Sequence, residues 1–222
     1  MKNILVTGGA GFIGSNLIKK LIENGYEVTS LDNYSTGNIE NQVDGAQYIN
    51  DDIENIFNIN MHFDTCFHLA AQSRVQPSFD DPLESVRANV TGTAKVMDWA
   101  KLNKSKVIYA GSSSKHHEPS DSPYAMTKFL GEEVCKLYKK SYNVNIQIAR
   151  FYNVYGPGEN IDEKFGNVIG IWRSKVLKGE PLPIVGDGNQ KRDFVHVYDI
   201  VDGLIKIGLS ALNHDDAWEL GT

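Results

Sequence analysis

The sequence has few cysteines, no excess of basic charge and no long hydrophobic run. Cys66 and Cys135 lie in an apolar strand pattern and a helical pattern, so we expect buried free thiols rather than a disulfide or a metal site. The net charge of −6 argues against a nucleic-acid partner. No run approaches the ~20 apolar residues that span a bilayer, and Ile4-Leu5-Val6 is too short for a signal peptide. We therefore expect a cytoplasmic protein with small-molecule ligands and no membrane contact.

Short β-branched runs alternate along the chain with longer amphipathic stretches. This alternation is typical of an α/β fold in which helices cover both faces of a parallel sheet, the doubly wound or Rossmann-type architecture. The predicted strands are Asn3–Thr7, Glu27–Leu31, Gln47–Asn50, Thr65–Leu69, Lys106–Ala110 and Asn145–Ala149.

Two features of the sequence define the rest of the chain: the start of one helix and a change in composition after residue 150. Asp81-Pro82 has an N-capping side chain followed by proline at the first helical position, which predicts a helix over about 83–103. After Arg150, glycines and prolines interrupt the alternation. We therefore predict a nucleotide-binding domain over 1–150 and a smaller, substrate-binding lobe over 151–222.

A glycine-rich loop, Gly8 to Gly14, follows the first predicted strand and opens a helix. Glycines at such a place permit a tight turn and a close approach to a pyrophosphate, which the helix N-terminus then attracts. Asp32 lies about 18 residues further on, after the second strand, where an acid bonds the adenosine ribose and repels a 2′-phosphate. The pattern predicts NAD rather than NADP. Asp52 ends the third strand and either contacts adenine or caps a helix.

Tyr124 and Lys128 are one helical turn apart, so both side chains lie on the same helix face. A phenol is a poor base at neutral pH, but an adjacent ammonium favours the phenolate. Ser112, Ser113 and Ser114 follow an apolar strand and are expected at its carboxyl end, where ligands bind in such sheets. An exposed i,i+4 pair without function is the alternative for Tyr124 and Lys128, and the serines argue against it.

Together these motifs resemble the extended short-chain dehydrogenase/reductase family, in its nucleotide-sugar epimerase/dehydratase branch. The resemblance rests also on Arg150 to Gly156, on Gly186-Asp187-Gly188 and on Arg192-Asp193-Phe194. It implies that Tyr124 is the base, that Lys128 also binds the nicotinamide ribose and that Ser112 steadies the reacting sugar oxygen. The implied cofactor contacts are Gly8, Gly11, Phe12, Ile13, Gly14, Asp32, Asn33, Asp52, Ile53, Leu69, Ala70, Ala71, Asn89, Tyr124 and Lys128. The implied substrate contacts are Ser113, Asn153, Val168 and Arg192.

The resemblance also bears on the reaction. Dehydratases and decarboxylases of this branch carry a carboxylate close after the first serine or threonine, where this chain has Ser113, Ser114 and Lys115. The expected reaction is therefore 4-epimerisation of a UDP-sugar through a 4-keto sugar, with NAD unchanged after each cycle. A 4-ketoreductase or dehydratase on the same scaffold and a non-catalytic NAD-binding protein are the alternatives.

Three further expectations follow from the resemblance. Helices 83–103 and 124–140 would pair with their copies in a homodimer. The substrate lobe would be incomplete, because relatives continue beyond a strand resembling Trp218-Glu219-Leu220. The loop after Ser114 is short and carries His116 and His117, to which we assign no role because adjacent histidines are poorly spaced for a metal.

Overall fold

Seven parallel strands form the central sheet of the structure, a computed structural model that describes residues 2–162 and 166–221. Their order across the sheet is β3-β2-β1-β4-β5-β6-β9. The strands are β1 (Asn3–Thr7), β2 (Glu27–Asp32), β3 (Gln47–Asn50), β4 (Thr65–His68), β5 (Lys106–Ser112), β6 (Ile146–Phe151) and β9 (Trp218–Leu220), and a separate parallel pair is formed by β7 (Asn153–Tyr155) and β8 (Phe194–His196).

Helices cover both faces of this sheet, because successive side chains of a strand point to opposite faces and both faces are apolar. In β1, Ile4 and Val6 belong to one hydrophobic cluster and Leu5 to the other. The helices are α1 (Phe12–Glu23), α2 (Val75–Asp80), α3 (Pro82–Val86), α4 (Thr93–Asn103), α5 (Pro123–Tyr142), α6 (Val168–Lys178) and α7 (Val197–Leu209). The first cluster holds α1 and α7, and the second holds α4 and α5. The predicted Rossmann-type fold is confirmed.

All six predicted strands are present, with ends that differ by at most two residues. The helix predicted over 83–103 is interrupted. Asp81 caps it as expected, accepting a hydrogen bond from the Glu84 N–H at 2.9 Å, but a π-helical turn over Arg87–Gly92 separates α3 from α4. The helix that carries Tyr124 and Lys128, α5, begins at Pro123 after its cap, Ser122, whose hydroxyl accepts from the Ala125 N–H at 3.0 Å.

The segment after residue 150 is divided between the sheet and a small lobe. The β7–β8 pair and α6 stand beside the carboxyl ends of the main strands, whereas α7 packs under the sheet and β9 extends it. The Trp218 indole N–H anchors β9 by donating to the Gln147 Oε1 at 2.9 Å. The domain boundary at 150 stays a prediction, and α7 and β9, which lie beyond it, pack with the sheet, although α7 also contacts β7 and β8 of the lobe.

Candidate active site

A cavity of about 770 Å³ opens at the carboxyl ends of β1, β2, β4, β5 and β6. Parallel sheets place their ligands at this edge, because the loops that follow the strands meet there. Most of the predicted site residues line it: Gly8, Gly11, Phe12, Ile13, Gly14, Asp32, Asn33, Ile53, Leu69, Ala70, Ala71, Ser112, Ser113, Tyr124, Lys128 and Asn153.

The glycine loop forms one wall of the cavity, and two of its glycines have no room for a side chain. A Cβ on Gly8, whose φ is +75°, would lie 2.7 Å from the backbone nitrogen of Ala70. A Cβ on Gly14 would lie 2.2 Å from the Gly8 carbonyl oxygen. The loop leads into α1, whose N-cap Gly11 offers no side-chain acceptor to the first helical N–H groups. This is a cradle for an anion such as a pyrophosphate.

Asp32 joins the glycine loop to the end of β2. Its two carboxylate oxygens accept hydrogen bonds from the backbone N–H groups of Ala10 and Tyr34, each at 2.8 Å. The side chain is nearly buried but lines the cavity. A carboxylate oxygen has more than one acceptor site, so each remains able to accept a ribose hydroxyl, whereas a phosphate there would meet like charge.

Asp52 does not line the cavity; it caps the 3₁₀ turn Ile53–Asn58 by accepting from the Glu54 N–H at 3.0 Å. It also binds the Arg87 guanidinium at 2.7 Å and the Asn33 amide at 2.8 Å. Burial acts to raise the pKa of Asp52, but these hydrogen bonds outweigh it and lower that pKa to about 2. Of the two roles left open for Asp52, the structure shows the cap; its neighbour Ile53 lines the cavity instead.

Tyr124 and Ser112 face each other across the inner end of the cavity. The Tyr124 hydroxyl lies 3.4 Å from the Ser112 Oγ, which also accepts from the Ser114 N–H at 3.1 Å and from the Ser114 hydroxyl at 2.9 Å. The Tyr124 N–H donates to the buried Ser78 hydroxyl at 3.0 Å, which fixes the first turn of α5. The two hydroxyls can therefore contact one substrate oxygen together.

Lys128 lies one turn further along α5 and is almost fully buried. Its ammonium donates to the Ala110 carbonyl oxygen at 2.6 Å and lies 4.5 Å from the centre of the Tyr109 ring. Burial lowers the pKa of Lys128 to about 8, against the opposing negative charge of Glu132. Lys128 thus places a buried ammonium on the helix face that carries Tyr124.

His68, at the end of β4, forms part of a buried hydrogen-bond chain behind the cavity wall. The Ala70 N–H donates to Thr7 Oγ1 at 3.2 Å, Thr7 Oγ1 lies 2.7 Å from His68 Nδ1, and His68 Nε2 lies 3.1 Å from Thr93 Oγ1. The Thr93 hydroxyl donates its one proton to the Asn89 carbonyl at 2.8 Å. Thr93 must therefore accept from His68, which assigns the proton of the imidazole to Nε2. Burial, with a smaller contribution from Lys128, lowers the pKa of His68 to about 3. His68 is a structural residue.

Asn89 does not line the cavity; it supports the wall from behind. It lies in the π-helical turn, where its Oδ1 accepts from the Gln72 N–H at 2.8 Å and its Nδ2 donates to the Gln72 carbonyl at 3.1 Å and to Thr127 Oγ1 at 3.0 Å. Its amide therefore holds the loop after β4 rather than pointing into the site. Whether Asn89 also contributes to cofactor binding stays a prediction.

The predicted substrate residues are divided between the cavity and the surface. Asn153 lines the cavity and donates from Nδ2 to the Asp193 carbonyl at 2.9 Å, which joins β7 to the segment before β8. Val168 begins α6 and Arg192 precedes β8; both are exposed and neither lines the cavity. The Arg192 Nη1 donates to the Lys191 carbonyl at 2.8 Å. Their roles stay predictions.

Sequence reasoning did not identify several residues of the cavity wall. Gln72, Ser73 and Arg74 follow the predicted Leu69-Ala70-Ala71 contacts directly and line the cavity. Arg74 has a φ of +99°, a conformation that is strained for a residue with a side chain. Burial lowers the pKa of Arg74, while Tyr124 and Glu159 oppose this. The position of Gln72, Ser73 and Arg74 directly after β4 was the signal in the sequence that could have placed them in the cavity wall.

His116 lies beside the site and His117 within its wall. The His116 ring stacks on Tyr152, 6.4 Å between ring centres, with its Nε2 3.4 Å from the Glu219 carboxylate. Among residues 2–162 and 166–221, no group of three or more His, Cys, Asp or Glu side chains could hold a metal ion. Across those same residues, we find no helix with the length and apolar character that crossing a membrane requires.

Comparison with known proteins identifies the family. The model of the NAD-dependent epimerase/dehydratase family matches residues 4–221. A putative UDP-glucose 4-epimerase of Methanocaldococcus jannaschii is 39% identical over 95% of this chain and 73% of its own length. UDP-glucuronic acid decarboxylase 1 of Xenopus tropicalis is 31% identical over 93% of this chain, which spans about half (53%) of that protein. The crystal structure of a Thermotoga maritima UDP-glucose 4-epimerase with UDP-glucose is 31% identical, with a TM-score of 0.91, over 99% of this chain and 77% of that one. The chain belongs to the NAD-dependent epimerase/dehydratase family, as its motifs predicted.

Proposed function

We propose that this chain catalyses the NAD-dependent 4-epimerisation of a UDP-sugar. The observation that carries the proposal is that Ser112, Tyr124 and Lys128 line the same cavity as the glycine loop and Asp32. A protein that only binds NAD has no need of a phenol, a buried ammonium and a serine at the inner end of its cavity. The epimerases among its relatives support the reaction, and the UDP-glucose bound to the Thermotoga enzyme supports the substrate class.

The glycine loop and α1 would hold the cofactor pyrophosphate, and Asp32 would hold the adenosine ribose, since the loop leaves no space for side chains and Asp32 retains acceptor sites. When bound, NAD would accept the hydride from C4 of the sugar and return it to the opposite face of the 4-keto sugar. The chain's own residues handle the proton and the orientation of the sugar.

Tyr124 removes the proton from the sugar O4 and later returns it. The Ser112 Oγ, which lies 3.4 Å from the Tyr124 hydroxyl, hydrogen-bonds the same sugar oxygen. Lys128 keeps its ammonium close to this pair through the bond to the Ala110 carbonyl. Asn153 lies at the lobe side of the cavity and would contact the nucleotide diphosphate. Val168 and Arg192 would join it only after the lobe moves, because both are exposed here.

One observation favours a second candidate. Asp121 lines the cavity two residues before Pro123, although the position after Ser112 holds no carboxylate. A dehydratase or decarboxylase needs an acid near the sugar, and the relatives include a decarboxylase. We rank this alternative second because Asp121 lies on an exposed turn rather than beside Ser112.

The deciding experiment incubates the purified, NAD-loaded protein separately with UDP-glucose, UDP-galactose and their N-acetyl forms, and separates the products by chromatography. Interconversion of one pair is expected. Tyr124→Phe should abolish turnover yet keep NAD bound, whereas Tyr142→Phe, at an exposed site on the same helix, should change neither. Failure to interconvert any pair with NAD bound would refute the epimerase, and a dehydrated product that is lost in Asp121→Asn would establish the second candidate.

A homodimer and a cytoplasmic location belong to the same proposal. Apolar side chains are exposed on the two helical segments expected to pair, namely Leu83, Val86, Met126, Leu130 and Leu137. Light scattering should give twice the chain mass, and Leu130→Asp should lower it. The two buried free thiols, Cys66 and Cys135, are consistent with a reducing compartment.

A further inference from the structure

Glu132 is a buried carboxylate that the mechanism above does not use. It lies on α5 four residues after Lys128 and is 1% exposed. A Cβ on Gly111 would lie 2.8 Å from its Oε1, so the carboxylate rests against the backbone between Ala110, which binds Lys128, and Ser112. A buried carboxylate destabilises the fold unless it is paired, so Glu132 requires a cationic hydrogen-bond partner.

Its hydrogen-bond partner is Arg150 of β6, which is 3% exposed. Arg150 donates from Nε to Glu132 Oε1 at 3.1 Å and from Nη2 to Oε2 at 2.8 Å. The remaining N–H groups of the guanidinium reach Asp216 at 2.9 Å and Glu219 at 2.8 Å. Three carboxylates thus surround one guanidinium, and the group keeps two negative charges.

Further basic side chains contact the two outer carboxylates, and the His116 Nε2 lies 3.4 Å from Glu219. Lys136 binds Asp216 at 3.4 Å and balances one of the charges from the surface. Lys128 lies one helical turn before Glu132 on the same face of α5, on the side of the reacting Tyr124, and its charge is opposite to that of the carboxylate. The other titratable groups that face Lys128 are the neutral His68 from β4, Tyr109 from β5 and Cys135 from its own helix. None of these can supply the negative charge at neutral pH, because His68 and both buried acids are uncharged there.

We propose that Glu132, held by Arg150, is a positioning residue that keeps Lys128 protonated and thereby sustains the phenolate form of Tyr124. The proposal rests on the proposed function in its assignment of Tyr124 and Lys128 as the reacting pair. Without the carboxylate, burial would favour the neutral amine, which no longer stabilises the phenolate. A smaller fraction of the protein molecules then carries the active combination of charged Lys128 and ionised Tyr124.

The test compares Glu132→Gln with Glu133→Gln in the NAD-loaded protein. The two changes remove the same charge from the same helix, but Glu133 lies at the surface and contacts Lys115 and Lys136. The first readout is the ultraviolet titration of Tyr124, obtained by subtracting the spectrum of Tyr124→Phe at each pH; the second is the pH profile of kcat for epimerisation.

Glu132→Gln should move the Tyr124 titration to higher pH and lower the plateau of kcat by about tenfold, the effect of a change of about one pKa unit in the reacting pair. Glu133→Gln should change neither readout, and Glu132→Asp should recover part of both. If Glu132→Gln does not fold, Asp216→Asn replaces it: removing this half-exposed carboxylate leaves Arg150 more positive, so the same shifts are expected with smaller size.

An unchanged Tyr124 titration in Glu132→Gln, or in Asp216→Asn where that variant is used, overturns the proposal even if activity falls, because the loss of activity would then not act through the ionisation of Tyr124. An equal shift in Glu133→Gln also overturns it. If the wild-type protein epimerises no sugar but its Tyr124 titration depends on Glu132, the proposed function fails and the positioning role of Glu132 stands.

Discussion

Replacing His68 by glutamine should reduce the acid sensitivity of the fold. His68 is buried and neutral, and both ring nitrogens take part in the hydrogen-bond chain from Thr7 to Thr93. Protonation would place a second proton on Nδ1, which accepts from Thr7 in the assigned network, and would charge the core. Glutamine keeps one donor and one acceptor but does not titrate, so it removes the pH dependence of this site alone.

The magnitude follows from the two pKa values of the imidazole. The pKa of His68 is about 3 in the folded protein and about 6.5 in an unfolded chain. Because the folded value is the lower one, the unfolded state binds the proton first, and stability present above pH 6.5 is lost as the pH falls towards 3. Each pH unit in this window costs about 1.4 kcal/mol, so His68 should destabilise the fold by about 2 kcal/mol between pH 7 and pH 5.

Urea denaturation at pH 7 and pH 5 measures this difference. The wild-type protein should lose about 2 kcal/mol more of its unfolding free energy over this interval than His68→Gln. His62→Gln removes an exposed imidazole and serves as the control. The two proteins would lose the same amount if His68 were protonated in the native state or if its chain broke before unfolding, and that result would refute the reasoning.

Three other changes test separate parts of the structure. Gly131→Ala places a Cβ 2.2 Å from the buried Tyr109 hydroxyl, so the unfolding free energy in urea should fall by about 1–3 kcal/mol; an unchanged value would mean that α5 moves freely. Asp32→Ser should weaken NAD binding at least about tenfold in calorimetry and narrow its advantage over NADP, because it removes the like charge that opposes a 2′-phosphate; an unchanged preference would contradict this role. Lys106 donates to three carbonyls at the end of α7, those of Ile207, Gly208 and Ser210. Lys106→Met should therefore cost about 1–3 kcal/mol, and a loss below the error of the urea measurement would show that water replaces the ammonium.

The sheet could be predicted from the sequence because strand and helix patterns are local. The first strand and the glycine loop are adjacent in the chain, and parallel strands joined by helices leave few possible orders. The π-helical turn at Arg87–Gly92 could not be predicted. The apolar spacing of Val86, Val90 and Ala94 suits a continuous helix, and the turn depends on contacts with Gln72 and Thr127, which lie 17 and 38 residues from Asn89.

The residues of the site show the same difference between those placed by local patterns and those placed by contacts distant in the sequence. Tyr124, Lys128 and Ser112 could be found because a helical spacing and a strand end place them. Glu132 and Arg150 are 18 residues apart on different elements, and nothing local distinguishes Glu132 from the exposed Glu133. Asp52 had two equally good local interpretations; the hydrogen bond from the Glu54 N–H shows the cap, and Arg87, 35 residues away along the chain, holds the carboxylate there. Arg192 lies between β7 and β8 in a stretch without regular structure, where sequence patterns give no position.

The π-helical turn has a consequence for how the cavity wall is encoded. Each residue of an α-helix rotates the next by about 100°, so deleting a single residue within Arg87–Gly92 would restore ordinary winding and turn Asn89 away from Gln72. The loop that carries Gln72 would then lose both of its bonds to the Asn89 amide, although every residue type in the wall would be unchanged. The shape of this part of the site depends on the number of residues in a helix as much as on which residues they are.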